Sequence, residues 1–484
     1  MSQNEKDDTG AAGENQAPIG FSRRDFLIRA SAAAGAVAAS GLAGVAPAFS
    51  KPPRQDTVLV RAVVIQEARV GQFEGILPSF LEAHPNVEVD LVGVASGNEW
   101  APFLQKVAVM IASGQQVDNI EMANEGFQLL TTSGVIRPLD EIVKDDPDIG
   151  DFFQDVAPAM IESHMLDGSL YNFAFLWAAA GINYNKNLFD EAGLDYPTND
   201  WTVEDFQAAA RAISALGDDI FGYAWPNRPW GGFTPWSYVN DSTLVTPEQS
   251  PGGDWLWDTF YPDMSEENRA KRGGGWKWVA ANGNDPNNVE ALEMLQSLAL
   301  EDEASYMVGP GGLPDLWAAF STGKLGMMVS HRAWISRFNG AGMTPDDYDV
   351  VFHPKWKSQK SQFGASGLAV TTLSQNPDEA FALLKHLTSR EAQSTFIAGG
   401  VHTASRRSVT NAAEQNEGIA PAGWRNYYAM IDDLDSLPVP APARNGDYDN
   451  ALTNWTAMAM SGELTAQEAL DGFTADVEAI LIDA

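Results

Sequence analysis

Between residues 57 and 132 short β-branched runs alternate with segments of helical period, and that alternation leaves few folds open. Thr57 to Ile65 reads as a buried strand. Phe73, Ile76, Leu77 and Phe80 recur at helical spacing across 71–83, and His84-Pro85-Asn86 ends that helix. Val87 to Val92 is a second strand. Phe103, Val107, Met110 and Ile111 share one face of a helix over 98–113, with Gly114 just past its end. Val117 to Met122 is a third strand, and a helix follows from about Asn124. Strands alternating with helices predict a parallel, doubly wound α/β sheet. Ligands bind such sheets at the carboxyl ends of the strands. Gln66, Glu67 and Arg69 after the first strand, and Glu121, Asn124 and Glu125 at the third, are therefore candidate ligand contacts. Asn124 reads equally well as a helix N-cap, and Glu125 as a first-turn acid favoured by the helix dipole.

The chain before this alternation has a different character. Ser22-Arg23-Arg24-Asp25-Phe26-Leu27 resembles a twin-arginine export signal, and a weakly apolar Ala/Gly stretch follows from Ala30 to Val45. Ala46-Pro47-Ala48 has the small-x-small pattern that signal peptidase reads. Residues 1–48 are thus expected to be a signal segment cleaved after Ala48, on a protein exported folded to the periplasm. Arg29 and the many Gly and Ser residues make the stretch a poor membrane span. The absence of cysteine excludes disulfides, iron–sulfur clusters, thiolate zinc sites and a lipid-modified cysteine anchor. The six histidines show no HExxH or other ligand spacing, so neither metal nor cofactor is expected. Thirty basic against 65 acidic residues give a net charge of −35. That field repels nucleic acid and anionic membranes and reads as a solubility surface suited to salty water.

The middle of the chain changes again. Thr202 and Asp205 form a weak capping box before a helix that buries Val203, Phe206, Ala210 and Ile213. Residues 225–280 are dense in Trp, Gly, Pro and Asn with little period, which predicts loops and short turns rather than a sheet core. Within them, Trp225-Pro226-Asn227-Arg228-Pro229-Trp230 places two indoles and two polar groups on one Pro-punctuated loop, with Trp236 nearby. Aromatic plates beside bidentate polar groups suit a sugar, which offers apolar C–H faces and a rim of hydroxyls. Asn376-Pro377 opens a later helix with Phe381, Leu384 and Leu387 buried.

Three runs in order resemble the family-1 extracellular solute-binding proteins of ABC transporters, the class that includes maltose-binding receptors. They are Gly181 to Leu194 with Pro197 and Trp201-Thr202; Ala318 to Ser330 leading to Trp334; and Phe363 to Val370 continuing through Asn376-Pro377, Leu387-Thr388-Ser389 and Glu391-Ala392-Gln393. The resemblance implies a two-lobed periplasmic binding protein fold, each lobe a doubly wound sheet, joined by crossover hinge strands near 176–181 and 364–369, with a third crossing after about His402. Lobe one would be 56–176 plus 368–405, and lobe two 180–364 plus 406–484. It implies a monomeric receptor that closes on a carbohydrate and delivers it to an inner-membrane ABC permease without catalysis. Trp334 enters the candidate site by resemblance alone. The chain departs from the family at Ser330-His331-Arg332-Ala333-Trp334, where Arg332 adds a cation. Trp177 at the crossover either stacks on ligand or packs the hinge. Two other readings stand beside a neutral sugar. The receptor could instead take a non-sugar solute such as a sugar acid or polyol, and Arg69, Arg228 and Arg332 could hold a carboxylate or phosphate. A Trp-lined cleft with two carboxylates would serve a glycoside hydrolase.

Overall fold

The structure, a computed structural model, describes residues 57–96 and 100–482. The expected signal segment 1–48 and the side chain of Glu67 lie outside what it describes. The β-branched runs form strands β1 (Val58–Val64), β2 (Val87–Gly93) and β3 (Asn119–Ala123), with β1 parallel to both neighbours. The helical stretch after β1 is broken in two, Glu67–Glu74 and Leu77–Ala83, because Pro78 takes the first turn of the second helix, where its missing N–H is harmless. Helix Trp100–Ala112 buries Phe103, Leu104, Val107 and Ile111 against this sheet.

The chain continues through a hairpin, β4 (Met165–Leu166) and β5 (Ser169–Leu170), into β6 (Ala174–Ala179). Two residues later β7 (Ile182–Asn185) begins a second sheet. Gly181 at this passage admits no side chain, since a Cβ there would lie 2.8 Å from the Val351 carbonyl oxygen and 2.2 Å from the Met430 methyl. The second sheet takes β8 (Phe221–Pro226), β11 (Ser305–Val308), β12 (Leu325–Val329) and β13 (Tyr348–Val351) in the order β11-β8-β12-β7-β13, while β9 (Val245–Gln249) and β10 (Trp276–Ala281) form a separate antiparallel pair. β14 (Ser361–Val370) runs antiparallel to β3 and β6, and β15 (Ser436–Pro438) adds to its start, so the first sheet is mixed rather than wholly parallel. Tyr427, Tyr428 and Met430 bury in the first core, and the chain enters the second with helix Asn445–Met460.

The expectation that 225–280 is loop is overturned. Trp225 lies in β8, fully buried in the second core, and the segment also holds helices Thr234–Val239 and Asp254–Phe260. Residues 250–275 leave β9 and β10 and pack on the first half as a strap. Leu256, Trp257 and Phe260 enter the first core, where Phe260 stacks on Phe153 at 4.2 Å. Its glycines are required by close approach: a Cβ on Gly275, whose φ is +109°, would lie 1.7 Å from the Met165 carbonyl oxygen. The strap clamps Glu162, which is fully buried and accepts from Arg272 Nη1 (2.7 Å), the Gly273 N–H (2.6 Å) and Gln249 Nε2 (2.9 Å).

Candidate ligand-binding site

Two halves of one polar and aromatic cluster meet where the sheets face each other. The first half is built on the carboxyl ends of β1 and β3. Glu121, fully buried in β3, accepts from the Ile65 N–H at 3.0 Å with one oxygen and lies 3.5 Å from Arg69 Nε with the other. This fixes Arg69, whose Nη1 sits 3.3 Å from His402 Nε2. Gln66 is the extended N-cap residue of helix Glu67–Glu74, and Glu125 lies half-buried in the first turn of helix Asn124–Thr132. Asn124 is not the cap of that helix but its first residue. Its amide donates to the Ser163 carbonyl (3.1 Å) and accepts from the Ala365 N–H (2.7 Å), stitching helix to β14.

The second half comes from the turn after β8 and the short turn after β12. Arg228 lies 5.1 Å from the centre of the Trp230 ring, and His331 meets that ring edge-on at 5.1 Å. His331 also stacks on Trp334 at 5.7 Å, Trp317 meets Trp334 edge-on at 5.9 Å, and Arg337 lies 4.0 Å over Trp317. Beside this cluster Asn124, Gln128 and Ser163 face Trp276, Trp278 and Val439 across a cavity of about 20 Å³, room for one water.

Burial, then the charges of Arg228, Arg337 and Arg69, push the His331 imidazole down to about 3. Burial and Arg69, followed by His331, Arg332 and Arg337, hold His402 well below its ordinary value. Both rings are therefore neutral at physiological pH. His331 Nδ1 accepts from the Ala333 N–H at 3.0 Å, which assigns the ring proton to Nε2. Burial lowers the Arg332 guanidinium to about 10, leaving it charged.

Of the candidates, Arg69, Glu121, Arg228, Trp230 and Trp334 are brought together. Four others are used up by the framework. Trp177 donates to the Ala404 carbonyl (2.8 Å) and packs edge-on against Tyr428, which makes it a hinge residue. Trp225 is core. Asn227 is spent on helix Asn445–Met460, donating to the Thr453 carbonyl (2.8 Å) and accepting from Thr456 Oγ1 (2.7 Å). Arg332 is buried, and its guanidinium donates to the His402 carbonyl, the Gln415 carbonyl (2.7 Å) and Asn416 Oδ1 (3.1 Å). His331, Arg337, Trp317, Trp276, Trp278 and His402 were not singled out by sequence. Arg337 follows Arg332 by five residues, the one local hint. Among the described residues no group of three His, Asp or Glu side chains could hold a metal ion, and no helix is long and apolar enough to cross a membrane.

Two α/β halves joined by short crossing segments, with aromatic and polar groups between them, define a two-lobed periplasmic-binding-protein fold. Solved structures agree. A substrate-binding protein of Listeria monocytogenes, in complex with cycloalternan, superposes with a TM-score of 0.69 at 18% identity, covering 88% of this chain and 99% of that one. The GacH receptor of Streptomyces glaucescens, studied with acarbose, gives 0.67 at 20% identity, covering 88% and 99%. At these identities the likeness is one of fold. A model of the bacterial extracellular solute-binding protein family matches residues 63–394, more than half of the chain, and the chain belongs to that family. A putative binding protein of Brucella abortus is 26% identical over 151 residues, 31% of this chain and 34% of that protein. The maltotriose-binding protein of Pyrococcus abyssi is 23% identical over 207 residues, 40% of this chain and 41% of that protein. The chain thus matches well under half the length of these curated relatives.

Proposed function

We propose that this chain is the exported, ligand-capturing component of an ABC importer for a carbohydrate, and that it closes on its ligand by a hinge and catalyses nothing. The observation that carries the reading is the meeting of Trp230 and Trp334, 8% and 4% exposed, with neutral His331 between the two halves: opening of the hinge would bare flat apolar plates for sugar faces, with polar groups at their edges for hydroxyls. The names of related proteins, which include a maltotriose-binding protein, support it. A hydrolase needs two carboxylates facing the sugar. Glu121, the carboxylate built into this cluster, is held by the Ile65 N–H and Arg69.

The lobes would be built on the two sheets, with the strap 250–275 reaching from the second to the first, and the monomer would hand its ligand to an inner-membrane permease. Each lobe supplies half the contacts, so closure is favoured mainly when both are engaged. Trp230→Ala is expected to weaken binding of maltose or maltotriose by at least about tenfold, since one lost plate removes on the order of 1–3 kcal/mol. Isothermal titration calorimetry measures this, and Trp230→Phe, which keeps a smaller plate, should retain most of the affinity. Normal binding by Trp230→Ala would remove Trp230 from the site. Export by the twin-arginine route, with cleavage after Ala48, predicts that Arg23→Lys with Arg24→Lys leaves precursor in the cytoplasm. Processed protein still reaching the periplasm would reject that route.

A further inference from the structure

We propose that the carbohydrate captured between the lobes is an anionic one, carrying a carboxylate or phosphate that arginines from both halves hold. The inference rests on the carbohydrate reading above and names the class within it.

Cations gather at this cleft against the overall charge of the chain, −35. Among the described residues, the charged side chains that act on His331 are arginines: Arg228 and Arg337 from the second half, Arg69 from the first. The charged groups acting on His402 are Arg69, Arg332 and Arg337. In the first half the Glu121 carboxylate answers Arg69 at 3.5 Å, with its other oxygen on the Ile65 N–H, and Glu125 lies half-buried in the helix that follows. Arg332 is neutralised by no acid here; carbonyl and amide oxygens surround it. Arg337 lies exposed over the Trp317 ring, and no carboxylate stands within ion-pair distance of it among the described residues. Arg332, saturated and buried, adds field rather than a contact.

The second half therefore brings to the cleft a cation, Arg337, that no carboxylate answers among the described residues, while Arg69 of the first half is balanced by Glu121. A neutral sugar leaves that charge unanswered. An anion supplies the counter-charge, so closure on it is favoured over closure on a neutral sugar. Guanidinium groups match carboxylate and phosphate oxygens in pairs. The Nε2–H of neutral His331 adds a donor between Trp230 and Trp334, so ring stacking and charge recognition would act on one ligand.

The test is calorimetric titration of the purified protein with matched pairs: galacturonate against galactose, digalacturonate against maltose, and glucose 6-phosphate against glucose. At least one anionic probe should bind about tenfold or more tightly than its neutral partner, more weakly as KCl rises. The galacturonate and phosphate arms separate the two sources of charge. Arg337→Gln should weaken the anion at least about tenfold and the neutral partner little, while Arg337→Lys retains most of the preference. A ligand-free melting temperature near that of the parent shows that the variants fold. If a neutral sugar binds most tightly and Arg337→Gln leaves it unchanged, the anionic class is wrong and the carbohydrate reading stands. If none of the six probes binds, the carbohydrate reading falls, and this inference with it.

Discussion

Arg272→Ala is expected to lower the unfolding free energy by about 3–5 kcal/mol, because it leaves the Glu162 carboxylate buried without its cation. Glu162 is fully buried, and Arg272 Nη1 lies 2.7 Å from its Oε2. Burial already raises the Glu162 carboxyl above its ordinary value, against the opposing pull of Arg272, the Gly273 N–H and Gln249. Without the guanidinium, the group must take up a proton or draw in water. The defect should therefore be smaller at pH 5 than at pH 8. Glu162→Gln is expected to lose less, since an amide oxygen still accepts from the Gly273 N–H and Arg272 keeps 16% of its side chain in solvent. Urea titrations at the two pH values measure both. A loss under about 1 kcal/mol for Arg272→Ala would mean that the strap 250–275 is held by Trp257 and Phe260 alone.

The second large effect is acid sensitivity between pH 6.5 and 4. Burial lowers His164 and His353 to about 4 each. Their carbonyl contacts, to Met160 at 3.3 Å and Ala180 at 3.2 Å, only partly offset it. A histidine whose folded value is depressed binds fewer protons folded than unfolded in this window, so stability is fully present above the unfolded value near 6.5 and is lost as pH falls toward 4. At pH 5 each ring forfeits roughly 1.36 kcal/mol for each pH unit below 6.5, about 2 kcal/mol, or about 4 for the pair. Loss of negative charge acts in the opposite direction by easing self-repulsion. Comparing urea titrations of the parent with those of His164→Gln separates the two, because only the imidazole contribution disappears in the variant. An equal slope of stability with pH in parent and variant would reject the histidine account.

Local pattern was legible wherever residues a few positions apart decide the outcome. Thr202 and Asp205 make both bonds of a capping box, the Asp205 N–H to Thr202 Oγ at 3.2 Å and the Thr202 N–H to Asp205 Oδ2 at 2.9 Å. Asn376-Pro377 opens a helix with Phe381, Leu384 and Leu387 buried, and the β-branched runs at 58–64 and 87–93 pair in register. The rule that ligands gather at strand carboxyl ends singles out Glu121 and Arg69, which the fold sets 3.5 Å apart. The two-lobed fold followed from three family runs in order.

Trp225 and Trp230 stand five residues apart on what reads as one loop, yet Trp225 is fully buried in the core of the second half while Trp230 packs in a separate cluster with Trp334 and Val439. Nothing local separates them: β8 owes its place to β11 and β12, about 80 and 100 residues downstream. Asn124 looked like a cap and became a stitch to Ala365, across 241 positions. Arg69 meets His402 across 333 positions, and Arg332 meets the His402 carbonyl across 70. Side-chain periodicity reports which face of an element is buried. It carries no record of which distant element covers that face, and charge at the cleft exists only once the chain has closed those long loops.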